Sequence, residues 1–133
     1  MNRSEAGRQR FVEGLLRRFG ALALVPWPVY TEATLFLQQR GLTEHAVTLG
    51  RSLLRGDPTL VTPTTAEHAT ALDIVERYAG FGVDLPDAVC IAMSLSRGIP
   101  LLTWDFRHVR AVVVAGRTAE LVVSEAEFRM FSA

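Results

Sequence analysis

The stretch Tyr78-Ala-Gly-Phe-Gly-Val-Asp84-Leu-Pro-Asp87-Ala-Val-Cys-Ile-Ala-Met93, with Ile99-Pro-Leu-Leu-Thr-Trp-Asp105-Phe-Arg-His108-Val109 following it, decides how this chain reads. Ala88, Ile91, Ala92 and Leu95 fall on one helical stripe, and Gly98 stands where a helix ends. After Pro100, the apolar run Leu101 to Trp104 reads as a strand. One helix and one strand therefore separate Asp87 from Asp105. A unit of that size brings the end of the strand back beside the start of the helix, so the two carboxylates are expected at one edge of a sheet.

Working outward, the same alternation recurs. Val12, Leu15, Leu16 and Phe19 form an amphipathic stripe ended by Gly20, with Arg8, Arg10, Arg17 and Arg18 opposite. Ala21 to Val25 reads as a buried strand stopped by Pro26 and Pro28. A helix is expected from about Tyr30 with Val29, Ala33, Phe36 and Leu37 on one face. Another is capped by Thr43 and turns Val47, Leu53 and Leu54 inward. Leu60-Val61 is a brief strand. Thr64 and Glu67 have the spacing of a capping box, which opens a helix through Leu72, Val75 and Tyr78. Gly80 to Pro86 reads as a loop. Ala111 to Ala115 and Ala119 to Val123 read as further strands, and Ser124 with Glu127 opens a terminal helix. Short apolar strands between longer helices predict a single α/β domain over residues 1–133 with a mainly parallel sheet.

Composition narrows the chemistry. The 133 residues carry 14 acidic and 14 basic side chains, so the formal net charge is zero and no uniformly basic nucleic-acid coat is present. Every basic residue is Arg. Without Lys there is no Schiff-base amine, no phosphate-loop Lys and no Ser-Lys nucleophile pair. The single Cys90 excludes an intrachain disulfide and a CxxC knuckle, and near an apolar stripe it reads as a small hydrophobe. His45, His68 and His108 lack metal-ligand spacing and read as surface histidines. Gly80-Phe-Gly82 lacks the rest of a dinucleotide fingerprint. The N-terminal residues are polar, without the apolar core of a signal peptide, and no apolar run is long enough for a membrane span. A cytoplasmic protein is the expectation.

Ligands bind at the carboxyl ends of parallel strands. Asp87, Asp105 and Glu32, the last just after the strand ending at Val25, are all expected there, with Asp84 in the same loop as Asp87. Such acids repel one another by about 1 kcal/mol per close pair in water-like surroundings, and by more when buried. A divalent cation neutralises that repulsion, and oxygen ligands favour Mg²⁺ or Mn²⁺. Each residue also has a plainer reading. Asp84 and Asp87 suit helix N-caps, Glu32 a solvated first turn, Asp105 a turn, and Thr103 a strand.

These segments resemble the second half of a PIN domain, and more narrowly the VapC-like toxins of prokaryotic toxin–antitoxin pairs. Val29-Tyr-Thr-Glu-Ala-Thr-Leu35 resembles the second acidic motif of that family. The resemblance implies a three-layer fold with a mainly parallel central sheet flanked by helices. It implies metal-dependent cleavage of RNA phosphodiesters, with Mg²⁺ or Mn²⁺ as cofactor. Glu32, Asp87 and Asp105 match three of four acidic metal-site positions, Thr103 matches the hydroxyl residue before the last Asp, and Asp84 an additional acidic position. An RNA substrate, an antitoxin protein and a homodimer are the implied partners. One departure stands out. The family opens with an interior strand carrying Asp then Ser or Thr, whereas Asn2-Arg-Ser-Glu5 resembles the segment just after it. Loss of that strand is expected to open the sheet. It leaves a second reading, a catalytically impaired PIN-like module that binds RNA or a protein.

Overall fold

In the computed structural model, which describes residues 3–19 and 22–132, the elements run α1 (Arg3–Phe19), β1 (Leu24–Pro26), α2 (Trp27–Gln39), α3 (Thr43–Leu54), β2 (Thr59–Val61), α4 (Thr65–Arg77), α5 (Leu85–Arg97), α6 (Phe106–Ala111) and α7 (Glu125–Ser132). A 3₁₀ turn, Ala79–Phe81, joins α4 to the loop before α5. The chain is thus mixed α/β, with seven helices and a small two-stranded parallel sheet among the described residues.

The core lies where α4 and α5 cross. Ala88, Val89, Ile91, Ala92 and Met93 of α5 are buried against Ala71 and Ile74 of α4, and Val109, Val112 and Ala119 close the other side. The expected α5 stripe is therefore the core stripe. Gly98 ends the helix in the left-handed conformation at φ 63°, which glycine adopts without a Cβ penalty. The Thr64–Glu67 capping box forms in full. Thr64 Oγ1 accepts from the Glu67 N–H at 3.1 Å, and Glu67 Oε1 accepts from the Thr64 N–H at 2.8 Å. Glu67 is buried, and Arg97 of α5 donates to both of its carboxylate oxygens at 2.9 Å, tying the start of α4 to the end of α5. Ser124 likewise caps α7, its Oγ accepting from the Glu127 N–H at 3.1 Å.

Several boundaries and faces differ from the pattern-based expectations. Helix α2 starts at Trp27, because Pro28 sits in its first turn, where a missing N–H costs nothing. Leu42, not Thr43, is the N-cap of α3, and it makes no side-chain cap. Leu53 is buried with Ala46, whereas Val47 and Leu54 are exposed, each lying one helical position off the Ala46–Leu53 stripe. Leu72 is exposed for the same reason, beside the inward Ala71. Gly20, Ala21 and the side chains of Arg8 and Phe19 lie outside the described residues, as do Asn2 and the Glu5 side chain.

The sheet differs most. β1 and β2 pair in parallel, with Leu24 opposite Thr59, Val25 opposite Leu60 and Pro26 opposite Val61. Pro26 is thus the last strand residue rather than the stop after it, tolerated because β1 is paired on one side only. Leu101 to Trp104 and Ala119 to Val123 shrink to one parallel bridge between Leu101 and Leu121. In it the Leu101 N–H donates to Glu120 O at 2.8 Å and the Val122 N–H to Leu101 O at 3.0 Å. Ala111 ends α6 instead of opening a strand, and Val114 pairs with Arg117 across a tight turn through Ala115 and Gly116. The physical reason lies between the two fragments. An apolar cleft of about 700 Å³, lined by Leu24, Val25, Met93, Leu101, Leu121 and Val122 among others, separates β1 from the Leu101 segment. Among the described residues no strand occupies that cleft, and each fragment is paired along one edge only.

A candidate metal centre at the starts of two helices

Asp84 is the N-cap of α5, and its Oδ1 accepts from the Asp87 N–H at 3.0 Å. Local capping thus fixes Asp87 in the first turn of α5, and the plain reading of Asp84 as a cap holds. Asp105 repeats the device at α6, where its Oδ1 accepts from the His108 N–H at 3.3 Å. Its own N–H donates to Thr103 Oγ1 at 3.0 Å, so Thr103 orients the Asp105 backbone.

The two helix starts converge. Asp87, Asp105 and His108 each offer one ligand atom, and those atoms lie within 4.8 Å of one another. His108 is the hinge of the group, with Nδ1 2.6 Å from Asp105 Oδ2 and 3.9 Å from Asp87 Oδ2. The side chains of Asp87, Asp105 and His108 are 36%, 38% and 22% exposed, so the group is open to solvent and to a ligand. The structure therefore brings the expected pair of aspartates together. Asp84 stands beside them, engaged in its cap. Glu32 is exposed and sits one turn inside α2, not in its first turn, because α2 begins early at Trp27.

The electrostatics follow from that crowding. Burial of its carboxyl comes first, then the charges of Asp84 and Asp105. Together they push Asp87 from the ordinary 3.8 up to about 6, with the opposing pull of His108 and a further push from Glu32. Glu32 thus acts on Asp87 through space without joining the three-atom cluster. The Cys90 thiol is pushed up to about 12 by burial and by the charges of Asp87, Asp84 and Glu32. It is a protonated, unreactive thiol at neutral pH.

His108 is the candidate ligand that the sequence pattern misses. The signal is its position three residues after Asp105, the same spacing by which an N-cap meets the third helical residue. With it the donor set becomes two carboxylates and one imidazole instead of oxygen atoms alone. That set suits Mn²⁺ better than Mg²⁺, because an imidazole is a softer donor than Mg²⁺ prefers. The residues fit a divalent cation on two grounds. They converge within coordination reach, and their mutual repulsion is what a cation relieves.

Compared with family models, curated proteins and solved structures, the chain matches none. No described helix is long and apolar enough to cross a membrane.

Proposed function

We propose that this chain is a metal-dependent endoribonuclease of the PIN, VapC-like kind. The convergence of Asp87, Asp105 and His108 at the starts of two helices is the observation that carries the reading. Asp87 and Asp105 would hold the metal, Mn²⁺ or Mg²⁺. His108 holds Asp105 in place or adds a nitrogen ligand, Asp84 and Thr103 fix the two aspartates by backbone contacts, and Glu32 adds negative charge from α2. When bound, the metal supplies a water of lowered pKa and a clamp on a phosphate oxygen. In the metal-free chain Asp87 is charged above about pH 6, so there it would be available to hold a cation in competition with a proton.

The same reading takes the apolar cleft between β1 and the Leu101–Leu121 pair as room for a further strand of a three-layer, mainly parallel fold. An RNA substrate, a cytoplasmic setting, an antitoxin partner and a homodimer belong to it as consequences of the family resemblance. The impaired, RNA- or protein-binding alternative has one observation in its favour. Glu32 stands outside the three-donor cluster, which leaves two carboxylates where four acidic positions are expected.

The deciding experiment is RNA cleavage by the full chain in Mn²⁺, beside a chelator control and Asp87→Asn. Cleavage lost in both controls supports the ribonuclease. No cleavage by the intact chain, with RNA still bound, favours the impaired module.

A further inference from the structure

Two residues on the segments that carry the acidic group, Phe81 and Arg107, have no role in holding it. Phe81 ends the 3₁₀ turn that leads into Asp84, and the residue is 47% exposed. Arg107 is exposed on α6 beside His108, with its guanidinium carbon 5.8 Å from the centre of the Phe81 ring. Among the described residues Arg107 makes no ion pair. The contact joins the segment carrying Asp84 and Asp87 to the segment carrying Asp105 and His108. An exposed aromatic residue and an exposed guanidinium thus sit together on the two segments that carry the carboxylates.

We infer that Phe81 and Arg107 form a nucleotide subsite beside the metal centre. Phe81 stacks an unpaired base and Arg107 binds the adjoining phosphate of single-stranded RNA. The inference rests on the ribonuclease reading and names how that site engages its substrate. Stacking suits single strands, because a splayed base offers its face to an aromatic ring while a paired base does not. The planar fork of Arg matches phosphate oxygens in a way that a lone carboxylate cluster cannot. It also answers an electrostatic problem. Asp84, Asp87, Asp105 and Glu32 repel a polyanion, and a cation at the edge of the group draws the phosphate backbone alongside the acids. The subsite gives position rather than sequence choice, since every base has a stacking face.

The test is anisotropy of a labelled, mixed-sequence single-stranded RNA bound to the full chain in chelator, so that binding is read without cleavage. The variants are Phe81→Ala, Phe81→Trp and Arg107→Gln, with Mn²⁺ affinity as the control for an intact metal group. Phe81→Ala is expected to weaken RNA binding roughly 5- to 150-fold, the loss of one stacked base, while Phe81→Trp retains binding. Arg107→Gln is expected to lower the slope of log affinity against log salt by about 0.7, one phosphate contact on a single strand. Binding unchanged within twofold in Phe81→Ala, with the intact chain binding and cleaving RNA, overturns the subsite and leaves the ribonuclease standing. An intact chain that neither binds nor cleaves RNA overturns both.

Discussion

His108 Nδ1 lies 2.6 Å from Asp105 Oδ2, while the other oxygen of the same carboxylate accepts the His108 backbone N–H at 3.3 Å. One aspartate therefore caps α6 and orients the imidazole that faces Asp87. Fold and site are joined at this point, since the cap that starts the helix also fixes the geometry of the donors.

Replacing His108 by Ala keeps the backbone N–H and hence the cap, but removes the ring. Mn²⁺ affinity is expected to fall about 10- to 100-fold, the usual cost of losing a group that supports or joins a metal shell. Far-ultraviolet circular dichroism should stay unchanged. Isothermal titration with Mn²⁺ reads the loss, and an affinity within twofold of the parent counts against a role for His108.

Asp87 gives the site a pH dependence of definite sign. Its folded value of about 6 lies above the ordinary 3.8, so between these values the folded chain holds a proton that the unfolded chain has lost. The metal-free protein should therefore lose stability as pH rises from about 3.8 through about 6. Asp87→Asn removes that part of the slope, which urea unfolding across this range reads by comparison with the parent. Mn²⁺ competes with the same proton, so its affinity should fall as pH drops below about 6. A metal affinity flat across that window contradicts ligation by Asp87.

Glu67, paired with Arg97, titrates in the opposite sense. Two hydrogen bonds from Arg97, opposed by burial and aided by the Thr64 contacts, hold the Glu67 carboxyl down from 4.5 to about 2. The stabilisation is present in full above pH 4.5 and is lost as pH falls from there through about 2. Glu67→Gln leaves an acceptor for the Thr64 N–H but removes the charge facing Arg97. It should cost about 1.5–3 kcal/mol at neutral pH, the range for hydrogen bonds to charged groups. Urea midpoints measured at pH 7 and pH 3 should converge between the two proteins.

Gly50 stands at a close approach to the Tyr30 hydroxyl, and its backbone angles are ordinary. A Cβ there would lie 2.5 Å from the Tyr30 hydroxyl oxygen, where α3 meets α2. Gly50→Ala gains roughly 1 kcal/mol of helix propensity but meets an overpacking cost of about 1–3 kcal/mol. Net destabilisation is expected in the parent. In a Tyr30→Phe background the clash with the hydroxyl is gone and the sign should reverse. Thermal unfolding of the four proteins closes this double-mutant cycle.

The parts legible in the sequence are those set by near neighbours. The α4 capping box needs only Thr64 and Glu67, and the α5 stripe with its Gly98 stop needs only helical periodicity, so both appear as the pattern predicts. Asp87 and Asp105 meet as the chain order suggests, because one helix and one return segment separate them. The sequence predicts three C-terminal strands that the structure replaces by isolated bridges and the end of α6. Runs such as Leu101 to Trp104 carry β propensity, but a strand forms only where another chain segment supplies hydrogen bonds, and the β1 side of Leu101 is an open cleft. Val47 and Leu54 show the same limit in a helix, since an apolar side chain one position off the buried stripe faces solvent. His108 is invisible as a lone histidine and becomes informative only through its spacing from Asp105.

The central claim is that Asp87, Asp105 and His108 form one cation site. It is tested most directly by titrating Mn²⁺ into the full chain at pH 7 while following free Mn²⁺ by electron paramagnetic resonance, in parallel with Asp87→Asn and Asp105→Asn. The account predicts saturable binding by the parent that both substitutions abolish while the fold is retained. Absence of saturable binding, or binding that survives in both variants, contradicts it.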